Sequence, residues 1–310
     1  MTLTLGIDEN GLGPQLGPLV ATGLLLRQPE GQAAALTAWA RDRGLADSKQ
    51  TAGFGRMRAS ESLTLALVEG AGQTACTTVD VLWDRLLLQG PDTAPPCPNA
   101  ATARQCHSAP ITLPAFGGSV AEGRAQLKAL ARRGVQLSWL RSTTACAGVL
   151  NAAQHAGQSR VQVDLQLFER LIVAAKPHCP DGALQVECGM VSGIRDYPKY
   201  LRTLQGCTLD AAASSSARRV YHWPGGARIA FSVHAEAGEL AVALASMVGK
   251  YVRELSMHRI TAFYRGHDPS LAAVSGYHDP NTRRFVAASA PLRRRLHIPD
   301  SCFVRRTARC

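Results

Sequence analysis

The sequence predicts an α/β protein built on a mixed sheet. Apolar strands come first, helix and strand patterns then alternate, and the chain closes in a helical, proline-punctuated end. Leu3, Leu5 and Ile7 alternate with other residues, the signature of a half-buried strand over residues 3–8. A glycine turn leads into Gly17-Pro18-Leu-Val-Ala-Thr-Gly-Leu-Leu-Leu26, a second strand antiparallel to the first. Ala33 to Ala40 carries helical patterning. Gly44-Leu-Ala-Asp47-Ser48-Lys49 is a polar loop, and Arg56 to Leu67 is helical. Residues 90–120 are rich in Pro, Ala, Gly and Thr and read as a long loop or insertion. Val135 to Leu140 is a strand. Between Asp164 and Lys176, the positions of Leu167, Phe168, Leu171 and Ile172 give a helix one apolar face, and Pro177 to Gly182 stops it. Ala183 to Gly189 is a strand that ends in an acid and a glycine. Residues 207–226 are small, polar and Gly-rich, again like an insertion. Arg228 to His234 is a strand with Glu236 just beyond it. Leu240 to Met257 is a long helix with Leu240, Leu244, Met247, Val248 and Tyr251 on one side. No internal repeat is visible. The expected division is a core domain over 1–265 and a basic extension over 266–310.

The 310 residues carry a net charge of +11, which favours polyanionic partners, nucleic acid above all. Much of the excess falls late, in Arg283-Arg284, Arg293-Arg294-Arg295, Arg305-Arg306 and Arg309. This tail could grip a duplex backbone or be a merely solvated end. Nine cysteines at irregular spacing, with no Cys-x-x-Cys pair, fit a reduced cytoplasmic protein rather than a disulfide framework. Cys97 and Cys106-His107 lack the partners of a zinc site. No apolar run reaches membrane-spanning length, and no signal peptide or membrane association is expected. Trp83, Trp139 and Trp223 are expected to pack rather than stack on bases. His234 is expected to be a packing residue, and Cys188 to face the core.

The chemistry lies at the strand ends. Asp8 and Glu9 close the first strand and are followed at once by Gly11-Leu12-Gly13-Pro14. A surface turn after an edge strand would carry the same residues. Yet adjacent carboxylates repel unless a proton or a cation intervenes. Mg²⁺ or Mn²⁺, which take oxygen ligands, are the natural remedy. The glycines let backbone amides approach a bulky anion. Glu187 and Glu236 lie at two further strand ends. If those ends are neighbours, four carboxylates converge, as two-metal phosphodiester hydrolysis requires.

These residues resemble type 2 ribonuclease H, the HII family. Its opening motif, Gly-[Ile/Val]-Asp-Glu-Ala-Gly-Arg-Gly-Pro followed by Gly-Pro, is similar to Gly6-Ile7-Asp8-Glu9-Asn10-Gly11-Leu12-Gly13-Pro14 and Gly17-Pro18. The family's Asp-Ser-Lys resembles Asp47-Ser48-Lys49. A third motif resembles Ala235-Glu236-Ala237 through Ser246, Lys250 and Arg253-Glu254, and Ser275-Gly276-Tyr277 resembles Lys-Gly-Tyr. The resemblance implies an RNase H-like mixed five-stranded sheet flanked by helices, with a helical C-terminal extension. It implies a monomeric endonuclease that cleaves RNA in RNA–DNA hybrids, or at ribonucleotides embedded in duplex DNA, leaving 5′-phosphomonoesters and using Mg²⁺ or Mn²⁺. By position, Asp8, Glu9 and Glu236 match metal-binding acids. Glu187 is favoured as the remaining acid, with Asp164, at the start of its helix, as the rival. Gly11 and Gly13 would offer backbone amides around the ribose 2′-hydroxyl, with Asn10 and Leu12 in the same substrate-binding turn, Tyr277 would stack on a sugar, and Ser48, Lys49, Ser246 and Lys250 would hold phosphates. The chain departs from the family where Leu12 replaces arginine, Asn10 replaces alanine and Glu replaces Asp at 187 and 236. Two other outcomes stay open: a non-catalytic nucleic-acid-binding protein on this fold, and a related nuclease acting on DNA.

Overall fold

The computed structural model describes residues 1–45, 56–72, 74–88, 105–179, 184–191, 194, 196–202, 205–224 and 226–306. Among these, seven strands form one mixed sheet: β1 (Thr2–Asn10), β2 (Leu19–Gln28), β3 (Gln136–Ala145), β4 (Leu184–Gly189), β5 (Thr208–Leu209), β6 (Arg218–Trp223) and β7 (Ala227–Ser232). Their order across the sheet is β3-β2-β1-β4-β7-β6-β5. β1 is antiparallel to β2 and parallel to β4, which is parallel to β7. The sheet therefore has seven strands rather than the expected five. β5 and β6 arise inside the segment read as an insertion. Arginines at 218 and 219 mask a strand whose Val220 and Tyr221 are buried.

Eleven helices are seen among the described residues: α1 (Ala33–Arg41), α2 (Arg58–Gly72), α3 (Val79–Leu86), α4 (Val120–Ala131), α5 (Ala147–His155), α6 (Arg160–Ala175), α7 (Ala235–Gly238), α8 (Leu240–His267), α9 (Pro280–Ala288), α10 (Ala290–Arg295) and α11 (Asp300–Phe303). Two of them sandwich the centre of the sheet. Leu5 and Ile7 on one face of β1 share a core with Leu165, Phe168 and Leu171 of α6. Ser159 and Gln162 form a reciprocal cap that fixes where α6 begins.

The alternate residues of β1, Gly6, Asp8 and Asn10, face α8. Small residues make this approach close. A methyl group on Gly6 would sit 2.2 Å from the Ala241 carbonyl carbon, and one on Gly249 would sit 2.5 Å from Asn10 Nδ2. Gly6→Ala must therefore push α8 off the strand that carries the acids. Its expected cost is at or above the roughly 1–3 kcal/mol of ordinary overpacking, read as a lowered urea midpoint with an unchanged slope.

α8 runs to His267, so the expected boundary at 265/266 falls inside a helix. The tail beyond it shares a core with the body. Leu271, Val274, Phe285, Leu292, Ile298 and Phe303 join Leu16, Ile260 and Tyr264. Trp83 and Trp139 are buried, and Trp223 is partly buried beneath Lys176. Among the described residues no helix is long and apolar enough to cross a membrane.

Candidate active site

The sheet register decides which acids meet. β1 pairs with β4 as Gly6↔Glu187 and Ile7↔Cys188, so the next residue, Gly189, lies level with Asp8. A methyl group on Gly189 would be 3.1 Å from Asp8 Oδ1 and 3.6 Å from Glu9 Oε2. Both carboxylates thus lean over the bare end of β4. Burial is the main force raising the Asp8 carboxyl to about 6. Repulsion by Glu236 adds to it, while a Ser246 hydrogen bond and the Lys250 ammonium oppose it. Burial, then the charges of Asp8 and Glu236, raise Glu9 to about 8.

Asp164 completes this group from the other side of the sheet. It is fully buried on α6, and neither carboxylate oxygen has a hydrogen-bond partner. Burial, with the charges of Glu9 and Asp8, holds its carboxyl well above the usual range. Glu236 comes from α7, just past β7. The chain turns there through His234, a non-glycine residue at φ 53°. Such a conformation costs energy and is retained where the surroundings fix it. His234 is 73% exposed, with Nδ1 3.9 Å from Glu236 Oε1, so it is a site-edge residue rather than the packing residue expected.

Glu187 goes elsewhere. Level with Gly6, it is one strand repeat short of Asp8. Its Oε1 accepts from Arg218 Nη2 at 2.6 Å and lies 3.6 Å from Arg228 Nη1. Burial nonetheless raises its carboxyl, against those two arginines. The neighbouring Glu239 is pushed up to about 7 by burial and by Glu187. The structure thus brings Asp164 to Asp8 and Glu9 and holds Glu187 in an ion pair with β6, a strand the sequence did not disclose. Cys188, the next residue, is buried in the core as expected.

The remaining candidates divide. Asn10 is buried, with Nδ2 donating to the Ser246 carbonyl at 3.5 Å, so its side chain braces β1 against α8. Leu12 packs partly against the core. Gly11 has φ +90°, and a methyl group there would lie 2.7 Å from Arg253 Nε. Gly13 faces open space. The Gly276 carbonyl accepts from the amides of Gln15 and Leu16, both at 3.0 Å, which sets Tyr277 beside the glycine turn. Tyr277 is 49% exposed, with the Arg253 guanidinium 4.5 Å from its ring centre. Ser48 and Lys49 lie outside the described residues, as does Cys97. Cys106 and His107 line a cavity with Cys146 and Cys302.

Oxygen donors, buried repulsion and the unpartnered Asp164 carboxylate fit a hard divalent cation in their chemistry. They are gathered but not closed on a point. Among the described residues no three His, Cys, Asp or Glu side chains stand as a ready set of metal ligands.

Fold and site together define an RNase H-like architecture: a mixed sheet with acids at the end of its central strand and a glycine turn beside them. The particular likeness is to ribonuclease HII. A chain of the PCNA:RNase HII complex from Archaeoglobus fulgidus superposes with a TM-score of 0.50 at 15% identity, covering 100% of this chain and 96% of that one. The chain therefore has an RNase HII-like fold. Ribonuclease H2 from Pyrococcus horikoshii OT3 matches at TM-score 0.49 and 13% identity, covering 97% of this chain and 92% of that one. Bst-RNase HIII in complex with Mn²⁺ matches at 0.43 and 14%, covering 93% and 70%. No protein-family model matches the sequence, and no curated protein does.

Proposed function

We propose that this protein is a metal-dependent endoribonuclease that hydrolyses RNA in RNA–DNA hybrids or at ribonucleotides embedded in duplex DNA. The observation that carries the reading is the cluster of Asp8, Glu9, Asp164 and Glu236 beside the Gly11–Gly17 turn. Asp8, Glu9, Asp164 and Glu236 would hold Mg²⁺ or Mn²⁺, with Asp164 in the place the sequence favoured for Glu187. A divalent ion there supplies Lewis-acid stabilisation of the phosphodiester oxygens. Lys250, whose charge acts on Asp8, would meet a phosphate oxygen, and Ser246 would orient the Asp8 carboxyl through its hydrogen bond. The turn offers backbone donors to the ribose 2′-hydroxyl, the group that separates RNA from DNA. Tyr277 presents an exposed ring at the same rim.

The test is cleavage of two labelled duplexes, an RNA–DNA hybrid and DNA with one ribonucleotide, in Mg²⁺, in Mn²⁺ and with chelator. Metal-dependent cleavage on the 5′ side of a ribonucleotide is expected. Cleavage of all-DNA duplex instead would assign a DNA nuclease. The open spacing of the acids favours one other reading, a nucleic-acid-binding protein that keeps the fold without the chemistry. Tight binding with no cleavage in either metal would establish it.

A further inference from the structure

Three arginines from distant parts of the chain converge on the glycine turn. Arg305, near the C-terminal end and 1% exposed, donates Nε–H to the Gly17 carbonyl at 2.8 Å and Nη1–H to the Gly11 carbonyl. Its own amide donates to the Gln15 carbonyl at 2.9 Å. Arg160, at the start of α6, donates Nη1–H to the Leu12 carbonyl at 3.3 Å and Nη2–H to the Arg306 carbonyl. Arg253 of α8 is 2% exposed. It pairs with Glu254 at 2.8 Å and donates to the Ser275 carbonyl at 3.0 Å.

Crowding like charges in a buried place is costly. Burial and the charges of Arg253 and Arg160 push the Arg305 guanidinium down to about 9. Two buried donors, Arg305 Nη2 and Arg253 Nε, have no partner. A fold that tolerates this cost gains something fixed by it, and the carbonyls identify what. In a trans peptide the N–H points opposite to the preceding C=O. Clamping the Gly11 and Leu12 carbonyls inward turns the amides of Leu12 and Gly13 outward. Gly17 is followed by Pro18, which has no N–H, so that bond only anchors the end of the turn. Gly13, where an outward amide results, is exposed with open space before it.

We infer that Arg305 and Arg160 are positioning residues for substrate recognition, holding three carbonyls of the glycine turn so that the Leu12 and Gly13 amides are presented to the ribose and phosphate of a ribonucleotide-containing strand. The inference rests on the ribonuclease reading and adds that the C-terminal segment is part of the recognition site. An anionic strand over the turn also relieves the repulsion among the three guanidiniums.

The experiment uses the full chain in an Asp8→Asn background, so that substrate is not cut. Affinities are measured for a duplex with one ribonucleotide and for the same duplex in all-DNA form. Arg305→Met is expected to shrink the preference for the ribonucleotide roughly tenfold, about the worth of one charge-assisted hydrogen bond. Arg305→Lys, which reaches only one carbonyl, restores part of it. Arg160→Met, which leaves the Arg305 clamp intact, gives a smaller loss and carries the test if Arg305→Met does not fold. A lowered melting temperature with the preference unchanged in the folded variants overturns the inference alone. No preference in the parent protein overturns the ribonuclease reading, and the inference with it.

Discussion

Asp8→Asn abolishes metal-dependent cleavage while leaving the protein folded. Asp8 is the junction of the site: Glu236 and Glu9 feel its charge, Ser246 hydrogen-bonds it, and Lys250 is attracted to it. Asparagine keeps its shape and can still accept from Ser246, so packing against α8 survives. What is lost is an anionic ligand at the centre of the cluster. The fall in kcat should exceed the roughly 10–100-fold that losing a group merely supporting a ligand costs. Because Asp8 is already strained by burial, the metal-free variant melts no lower than its parent. Cleavage within tenfold of the parent would place the chemistry elsewhere. Glu236→Gln serves as the second member of the pair, since Glu236 reaches the same cluster from α7.

How far the sequence reveals this arrangement differs from element to element. β1, the glycine turn and β2 are legible because a period-two apolar run and obligatory glycines are local signals. α8 is legible from its apolar face, though its last turns are not. β6 is hidden by Arg218 and Arg219; the first of them pairs across the sheet with Glu187 and Ser232. Without β6, the sequence does not disclose the Arg218 guanidinium that holds the Glu187 carboxylate in this structure. Strand register is equally invisible, yet it alone puts Glu187 level with Gly6 and Gly189 level with Asp8. Asp164 had a readable signal. It lies four residues before Phe168, on the apolar stripe of α6, and an acid in such a stripe demands a reason. The Ser159–Gln162 cap places it a full turn inside the helix rather than at its start. The clamp of Arg305 on Gly11 and Gly17 spans nearly the whole chain, and no local pattern could announce it.

The choice between Asp164 and Glu187 is decided by stability as well as by catalysis. In the folded protein Asp8 titrates near 6 and Glu9 near 8, against ordinary values of 3.8 and 4.5. The folded state therefore binds protons more tightly than the unfolded one. The stabilisation this gives is fully present at low pH and is lost as the pH rises from about 4 to about 8. Metal-free protein should melt progressively lower across that window, and Mn²⁺ at pH 8 should restore it. At a hundredfold excess over its dissociation constant the ion adds about 2.7 kcal/mol, or about 4 °C for a chain of this size. Asp164→Asn removes one of the repelling carboxylates. It should raise the metal-free melting temperature at pH 8, flatten the decline with pH, and largely erase the rise on adding Mn²⁺. Glu187→Gln alters a pair with Arg218 that lies apart from the cluster, so the Mn²⁺ response persists. The reverse pattern, with Mn²⁺ stabilisation lost in Glu187→Gln and kept in Asp164→Asn, would return the third ligand to β4. It would require the Glu187 carboxylate to leave Arg218 when metal binds.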